Sequence, residues 1–331
     1  MINPVLVEVE RSGFVESRHR GAAVGLAADG TAAVRAGTVD EPIFPRSANK
    51  PLQAVAMLRS GLDLEGELLA LAAGSHSGED FHVEGVEKIL AGAGLTADDL
   101  RCPESWPIDP GTSRTCEEPS RVRMNCSGKH AAMLATCVAA GWPTESYLDP
   151  EHPLQIAVRG VVEELAGERA AATGVDGCGA PLFAISALGV ARAYRALVLA
   201  APDAPECLVA DAMRTHPQWT SGTAREERRL MDAVPGLLVK CGAEGVDAFA
   251  LADGRAGAVK IDDGAMRART PVTVALLRAL AGHTGEGGGE GGGAPGGLPD
   301  GTDEDALEEL AVVELRGGNA VVGVIRSVVP S

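Results

Sequence analysis

The most constraining feature of this sequence is the position of its predicted β-strands, which lie at both ends of the chain. Residues 5–36 show the alternation of an antiparallel β-meander, in which Asp29-Gly30 is a typical hairpin turn. Strand patterns return at 248–261 and at 310–327, where Gly317-Gly318 forms the second turn. Strands at both ends with helices between them favour one sheet that is built from the two termini and covered by helices.

We therefore predict a mixed α/β (α+β) fold in which residues 1–331 form a single domain. Its mainly antiparallel sheet comes from about 5–36 and 248–327, and its helical region covers about 46–245. A chain of 331 residues with 45% hydrophobic content buries a large core, as one domain or as two closely joined lobes. Residues 285–304 are too rich in glycine to pack, and they are predicted to be a flexible insertion.

Between the terminal strands, the spacing of apolar residues predicts a series of helices separated by one long ordered loop at 100–124. The predicted helices lie within 46–60 and at about 62–73, 80–92, 125–140, 152–165, 182–199, 205–215, 224–233 and 271–282.

The charge and cysteine content exclude several classes of function. A net charge of −17 without a basic cluster argues against partners such as nucleic acid or an anionic membrane. No apolar run approaches the ~18 residues that a membrane span needs, and the first residues lack the pattern of a signal peptide. The seven cysteines are scattered without paired spacing, which indicates reduced thiols and a cytoplasmic protein.

Ser47 and Lys50 form a Ser-x-x-Lys motif directly before an apolar run with helical spacing. A lysine one helical turn after a serine lies on the same face, and an unprotonated amine there activates the hydroxyl as a nucleophile. The motif alone is a weak signal, because a helix-capping serine followed by a solvated lysine is the more common explanation.

The rarity of lysine relative to arginine strengthens the interpretation of Ser47 and Lys50 as a catalytic pair. Only five of the 29 basic residues are lysines, namely Lys50, Lys88, Lys129, Lys240 and Lys260. Arginine effectively never gives up its proton, whereas a partly buried lysine acts as a base. A chain that uses arginine almost everywhere is expected to keep lysine where arginine cannot serve.

Three further segments are candidates for chemistry. Ser75-His76-Ser77 is either an ordinary helix cap or a second hydroxyl donor, and Lys260 is either an edge-strand lysine or a site residue. Cys126 at a helix start and Cys178 between two glycines fit buried thiols, a metal site that uses both, or a reactive nucleophile. Buried thiols are the default, and His130 and His152 are possible further ligands or helix-start polar residues.

Taken together, the motifs resemble those of the Rhizobium etli type L-asparaginases, the thermolabile asparaginase II or class 3 group. The matching segments run in order from Arg11–Arg20 through Arg46–Gln53, Ser75–Asp80, Asn125–His130, Asp176–Cys178 and Val259–Gly264. The glycine-rich stretch at 285–304 departs from the family pattern. The resemblance implies a fold like that of serine β-lactamases and penicillin-binding proteins, and it implies a homodimer.

The resemblance also assigns residues. It implies two catalytic pairs, Ser47 with Lys50 and Ser75 with Lys260. It implies a zinc ion held by Cys126, Lys129 and Cys178, with Asp176 and His130 as near neighbours. Arg46, His76 and Asp176 are the expected substrate-binding residues.

The predicted reaction is hydrolysis of the side-chain amide of L-asparagine to L-aspartate and ammonia, through an acyl-enzyme on Ser47. Two alternatives remain open at this point. One is a hydrolase of the serine β-lactamase or penicillin-binding type, which shares the Ser-x-x-Lys motif, although this chain has no clear Lys-Thr-Gly. The other is a catalytically inactive zinc-binding relative.

Overall fold

A computed structural model describes residues 2–283 and 296–329 of the chain. The chain divides into two compact units. The sheet unit comprises Met1–Ala48, Ile185–Leu199 and Arg229–Ser331, and the helical unit comprises Asn49–Ala184 and Ala200–Arg228.

The secondary structure runs in chain order as follows. The elements are β1 (Val5–Arg11), β2 (Phe14–Leu26), β3 (Ala32–Ala36), β4 (Pro42–Ile43), a 3-10 helix (Arg46–Asn49), α1 (Lys50–Arg59), α2 (Gly66–Ala72), α3 (Asp80–Gly92), a second 3-10 helix (Ala97–Asp99), α4 (Pro110–Thr115), α5 (Ser127–Ala140), α6 (Pro153–Ala166), β5 (Ala172–Val175), β6 (Pro181–Ser186), α7 (Ala187–Leu199), α8 (Pro205–Thr215), α9 (Pro217–Thr220), α10 (Glu226–Ala233), β7 (Leu238–Gly242), β8 (Val246–Ala250), β9 (Ala256–Ile261), α11 (Met266–Gly282), α12 (Glu304–Ala311), β10 (Val312–Gly317) and β11 (Ala320–Ser327).

The sheet unit is built around one eight-stranded antiparallel sheet. Its strands follow the order β10-β11-β1-β2-β9-β8-β7, and β3 pairs with β2 beside this path. The pairing of β1 with β11 sets Val7 opposite Ser327, so strands from the two ends of the sequence are neighbours. This confirms the predicted sheet from both termini.

Helices α7 and α11 both pack against β2, β8 and β9. A core of small aliphatic side chains from α11, such as Val272 and Leu276, meets Val259 and Phe249 on the sheet. The residues of β7, β8 and β9 are almost all buried, which explains why these strands carry Ala, Val and Leu rather than an alternating pattern.

Within the helical unit, α1 packs against α5, α6 and α8, and α2 packs against α3, α5, α8 and α9. The close approach of α2 and α5 depends on Gly128, where a Cβ would clash with Leu71. Residues 172–175 of β5 pair with 181–184 of β6 in a short antiparallel ribbon. The loop of this ribbon carries Cys178.

Most of the predicted elements are present, but one predicted helix is partly a strand and several elements were missed, among them α4 inside the predicted loop at 100–124. Residues 182–199 were predicted as one helix, whereas 181–186 form the buried strand β6 and only α7 is helical. The strand β7 was missed inside the predicted helical region, because a strand buried on both faces lacks the period that marks an exposed one. The helix α12 was missed as well.

The predicted glycine-rich insertion at 285–304 is described only in part, since 284–295 lie outside the described residues. Residues 296–303 form bends and turns that are hydrogen-bonded to other parts of the sheet unit. Gly297 N–H donates to the carbonyl of Ala281, and Asp303 N–H donates to the carbonyl of Ala233. In the parts of the chain that the structure describes, no helix is both long and apolar enough to cross a membrane.

Candidate active site

The backbone of the Ser47 motif is a tight turn in the sheet unit followed by a helix. Arg46 opens the 3-10 helix with a φ of 52°, in the left-handed region that side chains other than glycine rarely adopt. Ser47 follows it and is half-buried. The helix predicted after Ser47 is present as α1, which begins at Lys50 and accommodates Pro51 in its first turn.

Lys50 is buried in the helical unit, where it connects two other predicted motifs. Its Nζ donates to the carbonyl oxygen of Gly74 at 2.5 Å and to that of Asn125 at 3.3 Å. These two carbonyls directly precede Ser75 and Cys126. One amine therefore holds together the segments that the sequence singled out separately.

Backbone hydrogen bonds hold Ser75 in place, and its hydroxyl can bond to a bound molecule. Its N–H donates to the carbonyl of Thr220 at 2.8 Å, and the N–H of His76 donates to Asn125 at 3.1 Å. The Oγ of Ser75 is buried and has no hydrogen-bond partner among the described residues. Since a buried hydroxyl without a partner is costly, this group fits a role in binding or catalysis.

His76 is a fully buried imidazole that is kept neutral. Burial lowers its pKa well below the usual value, and the nearby charges of His82 and Lys50 act in the same direction. Its Nε2 lies 2.9 Å from the Oγ of Ser127, and its Nδ1 has no partner within the described part of the chain. A neutral ring with one free nitrogen can accept or donate one hydrogen bond to a bound molecule.

Cys126, Lys129 and Cys178 meet in the helical unit. Cys126 precedes α5, Lys129 lies one turn into that helix, and its Nζ donates to the Sγ of Cys178 at 3.1 Å. A hydrogen bond from Cys126 and the charge of Lys129 lower the pKa of Cys178, whereas the same thiol–thiol bond and burial raise that of Cys126. Burial opposes the ammonium form of Lys129, but the two sulfurs together raise its pKa.

This cluster fits a zinc ion in its chemistry. Two sulfur donors suit zinc, and the nitrogen of Lys129 would supply a third donor once the metal had displaced its proton. His130 lies beside them. Its Nδ1 is 2.7 Å from the hydroxyl of Tyr147, and a hydrogen bond between its ring and Cys178 helps to lower the pKa of that thiol. Asp176 is more distant, with its Oδ2 4.0 Å from the Sγ of Cys178. Among the described residues no group of three or more His, Cys, Asp and Glu side chains could hold a metal, so the amine is essential to the predicted site.

His152, the other possible ligand, serves a structural purpose. Its Nδ1 accepts from the N–H of Leu154 at the start of α6, and its Nε2 lies 2.9 Å from the carbonyl of Pro143. It is therefore a helix-start polar residue rather than a candidate ligand.

In the sheet unit, Lys260 and Arg46 both approach Glu244. The Nζ of Lys260 donates to the carbonyl of Glu244 at 2.8 Å and also to that of Ile261. Burial lowers the pKa of Lys260, although the carboxylates of Asp262, Glu244 and Asp263 oppose the shift. A lowered pKa increases the fraction of neutral amine, which is what a general base requires.

Three residues with bearing on the site were missed by sequence reasoning. The hydroxyl of Tyr194 on α7 donates to the carbonyl of Ala48 at 2.7 Å and so supports the turn that carries Ser47. Asn49 is buried with neither side-chain atom hydrogen-bonded in the described chain. Glu244 contacts the turn at Arg46. Only Asn49 carried a sequence signal, since it lies inside the Ser-x-x-Lys motif.

A buried pair of histidines beside the site gives a pH-dependent stability. Burial lowers the pKa of both His76 and His82. At His82 the hydrogen bond to the carbonyl of Gln218 and the nearby carboxylate of Glu79 oppose the shift without reversing it. The unfolded chain therefore binds more protons below about pH 6.5, so the free energy of unfolding must fall as the pH falls through that value. We expect a loss of about 1.4 kcal/mol per pH unit for each histidine.

Urea unfolding of wild type and His82→Phe at pH 7.5 and 5.5 would check this expectation. The variant should lose less stability between the two pH values than wild type does, because one of the two buried imidazoles is gone. An equal loss in both proteins would contradict the assignment of His82 as a group that is neutral when folded.

Comparison with known proteins adds the decisive observation. A family model described as L-asparaginase II matches residues 7–290. The chain belongs to the L-asparaginase II family. The matched range contains every site residue that the sequence predicted, from Arg46 to Lys260, and membership of this family supports an amidohydrolase.

Several solved structures resemble this chain distantly. Mglu in its native form is 14% identical with a TM-score of 0.40, over 74% of this chain and 56% of that one. A Bacillus glutaminase is 12% identical with a TM-score of 0.40, over 73% and 83%. EstCE1, a hydrolase with promiscuous acyltransferase activity, is 12% identical with a TM-score of 0.40, over 83% and 92%.

At these TM-scores the likeness carries no argument about fold or reaction. The chain spans little more than half of the length of Mglu. No curated protein matches the sequence significantly. The family level of the predicted resemblance is thus confirmed, whereas the Rhizobium etli subgroup and the β-lactamase-like fold stay predictions.

Proposed function

We propose that this protein is an L-asparaginase, which hydrolyses the side-chain amide of L-asparagine to L-aspartate and ammonia. The observation that carries the proposal is the L-asparaginase II match over residues 7–290, which includes both Ser–Lys pairs. The residues of those pairs support it, since Lys50 and Ser75 are buried and Lys260 is half-buried with a lowered pKa.

In the proposed reaction the Oγ of Ser47 attacks the amide carbon of the substrate while Lys50 takes the hydroxyl proton. The carbon–nitrogen bond then breaks, and Ser75 with Lys260 relays a proton to the departing ammonia. The resulting ester on Ser47 is hydrolysed by water, which returns the serine hydroxyl and releases L-aspartate. Backbone N–H groups near Ser47 are the expected donors to the oxyanion.

The remaining residues hold the substrate and the site. Arg46, His76 and Asp176 are proposed to bind L-asparagine. Cys126, Lys129 and Cys178 would hold the zinc ion. When bound, zinc supplies a Lewis acid that orients the substrate and supports the site. The nucleophile itself comes from the Ser–Lys pairs and does not depend on the metal. A homodimer belongs to the same proposal by resemblance alone, whereas a cytoplasmic location is proposed from the scattered, unpaired spacing of the seven cysteines.

The test is ammonia release by the purified protein from L-asparagine and L-glutamine, with nitrocefin hydrolysis measured alongside. We expect release from L-asparagine in preference to L-glutamine, and no hydrolysis of nitrocefin. Turnover of nitrocefin without amide hydrolysis would favour an enzyme of the β-lactamase type. The absence of any turnover would favour a non-enzymatic zinc-binding relative.

A further inference from the structure

Two strained residues face each other beside Ser47 in the sheet unit. In the described chain only Ser12, Arg46 and Glu244 combine a side chain with a left-handed φ, and the last two have φ values of 52° and 59°. The Nη1 of Arg46 lies 3.9 Å from the Oε1 of Glu244. An exposed ion pair of this length contributes very little free energy to the stability of a fold. That contribution is smaller than the free-energy cost of two residues with a left-handed backbone. The strain therefore points to a function rather than to stability.

The turn that carries Glu244 is locked in place by its surroundings. It joins β7 to β8, and its Gly245 carbonyl accepts the N–H of Ile261 at 2.9 Å. A Cβ on Gly242 would clash with the carbonyl of Pro45, and one on Gly264 would clash with the carboxylate of Glu244. The glycine that ends the Val259–Gly264 motif thus leaves space for this carboxylate. The backbone of the turn, and with it the point from which the Glu244 side chain extends, is set by the fold.

The charges at this place complement a free α-amino acid. The side chain of Glu244 is 63% exposed and that of Arg46 is 24% exposed, so both reach solvent. An α-amino acid carries its ammonium and its carboxylate on one carbon, and a carboxylate beside a guanidinium offers an opposite charge to each. Ser47 follows Arg46 in the sequence, and Lys260 bonds to the carbonyl of Glu244.

We propose that Glu244 is a substrate-specificity residue that accepts the α-ammonium group of the amino-acid substrate, with Arg46 taking its α-carboxylate. The inference rests on the proposed function, which supplies the amide-bearing amino acid. If Glu244 has this role, the enzyme must discriminate against amides that lack the α-amino group.

The experiment compares wild type and Glu244→Gln on L-asparagine and on succinamic acid, which has the same amide and carboxylate but no α-amino group. The Gln variant keeps the backbone carbonyl that holds Lys260. We expect kcat/KM for L-asparagine to fall about 10- to 100-fold, mainly through KM, because a hydrogen bond between charged groups is lost. The value for succinamic acid should change less than threefold. Glu314→Gln, at an exposed glutamate paired with Arg316, is the matched control and should leave both values unchanged.

Calorimetric binding of L-aspartate and succinate separates this inference from the proposed function. We expect wild type to prefer L-aspartate and Glu244→Gln to lose the preference. Equal losses on both amides would show that Glu244 acts only by placing its neighbours, and that result would overturn the inference, as would the absence of any loss. If wild type hydrolyses no amide, the proposed function fails, and the binding preference alone then decides for or against Glu244.

Discussion

Ser47→Ala is expected to abolish hydrolysis of L-asparagine, with a loss of about 10⁴- to 10⁶-fold in kcat. The hydroxyl of Ser47 forms the acyl-enzyme in the proposed reaction, and alanine leaves no nucleophile at that position. Ser75 does not replace it, because its own hydroxyl is assigned to proton transfer. Ammonia release from L-asparagine measures the effect.

The matched control is Ser17→Ala, which removes another half-buried serine hydroxyl of the sheet unit, on β2. That variant should keep the activity of wild type. Circular dichroism of Ser47→Ala should match wild type, since the hydroxyl is not part of the core. Hydrolysis that persists in Ser47→Ala would move the nucleophile to Ser75 or to a metal-bound water.

Asp247→Ala is expected to destabilise the sheet unit by about 3–5 kcal/mol, the typical cost of removing one partner of a buried ion pair. Asp247 on β8 is fully buried and accepts from the Nη1 of Arg269 at 2.7 Å and from the hydroxyl of Thr273 at 2.9 Å. Its removal leaves the guanidinium of Arg269 in the core without this carboxylate. The midpoint of urea unfolding measures the change.

Two further variants sharpen that measurement. Glu308→Ala removes an exposed partner of Arg278 and should cost less than about 1 kcal/mol. The double variant Asp247→Val with Arg269→Met should recover much of the stability lost in Asp247→Ala, because it removes both buried charges together. An Asp247→Ala protein as stable as Glu308→Ala would show that this ion pair does not hold β8 to α11.

The sequence predicted the fold well where one physical signal dominated. The hairpin at Asp29-Gly30 and the strand at 256–261 were found because a turn signal or clear strand composition marks them. The strand β6 was taken for part of a helix, since all six of its residues are buried and a continuous apolar run has no period to read. The burial of this segment in the folded protein, which sequence alone does not show, determines that it is a strand rather than a helix.

The candidate site was predicted from chemistry that is local in sequence. Lys50, Ser75 and Cys126 could be named from their motifs, but their connection through the carbonyls of Gly74 and Asn125 depends on tertiary structure. Tyr194 and Glu244 carry no motif. Tyr194 acts through a hydrogen bond to a backbone carbonyl, and Glu244 lies in a strained turn. Neither feature can be recognised from the type of residue at that position.

The pairing of β1 with β11 also sets the order in which the chain becomes structured. Residues 5–11 pair locally with β2, but they meet their second partner strand only after residues 320–327 have left the ribosome, so this pairing closes over nearly the whole length of the polypeptide. The helical unit draws most of its residues from one continuous stretch, 49–184. Its helices can pack while synthesis continues, and β2 can pair with β3 and later with β9. The edge of β1 that β11 covers stays open until residues 320–327 are made.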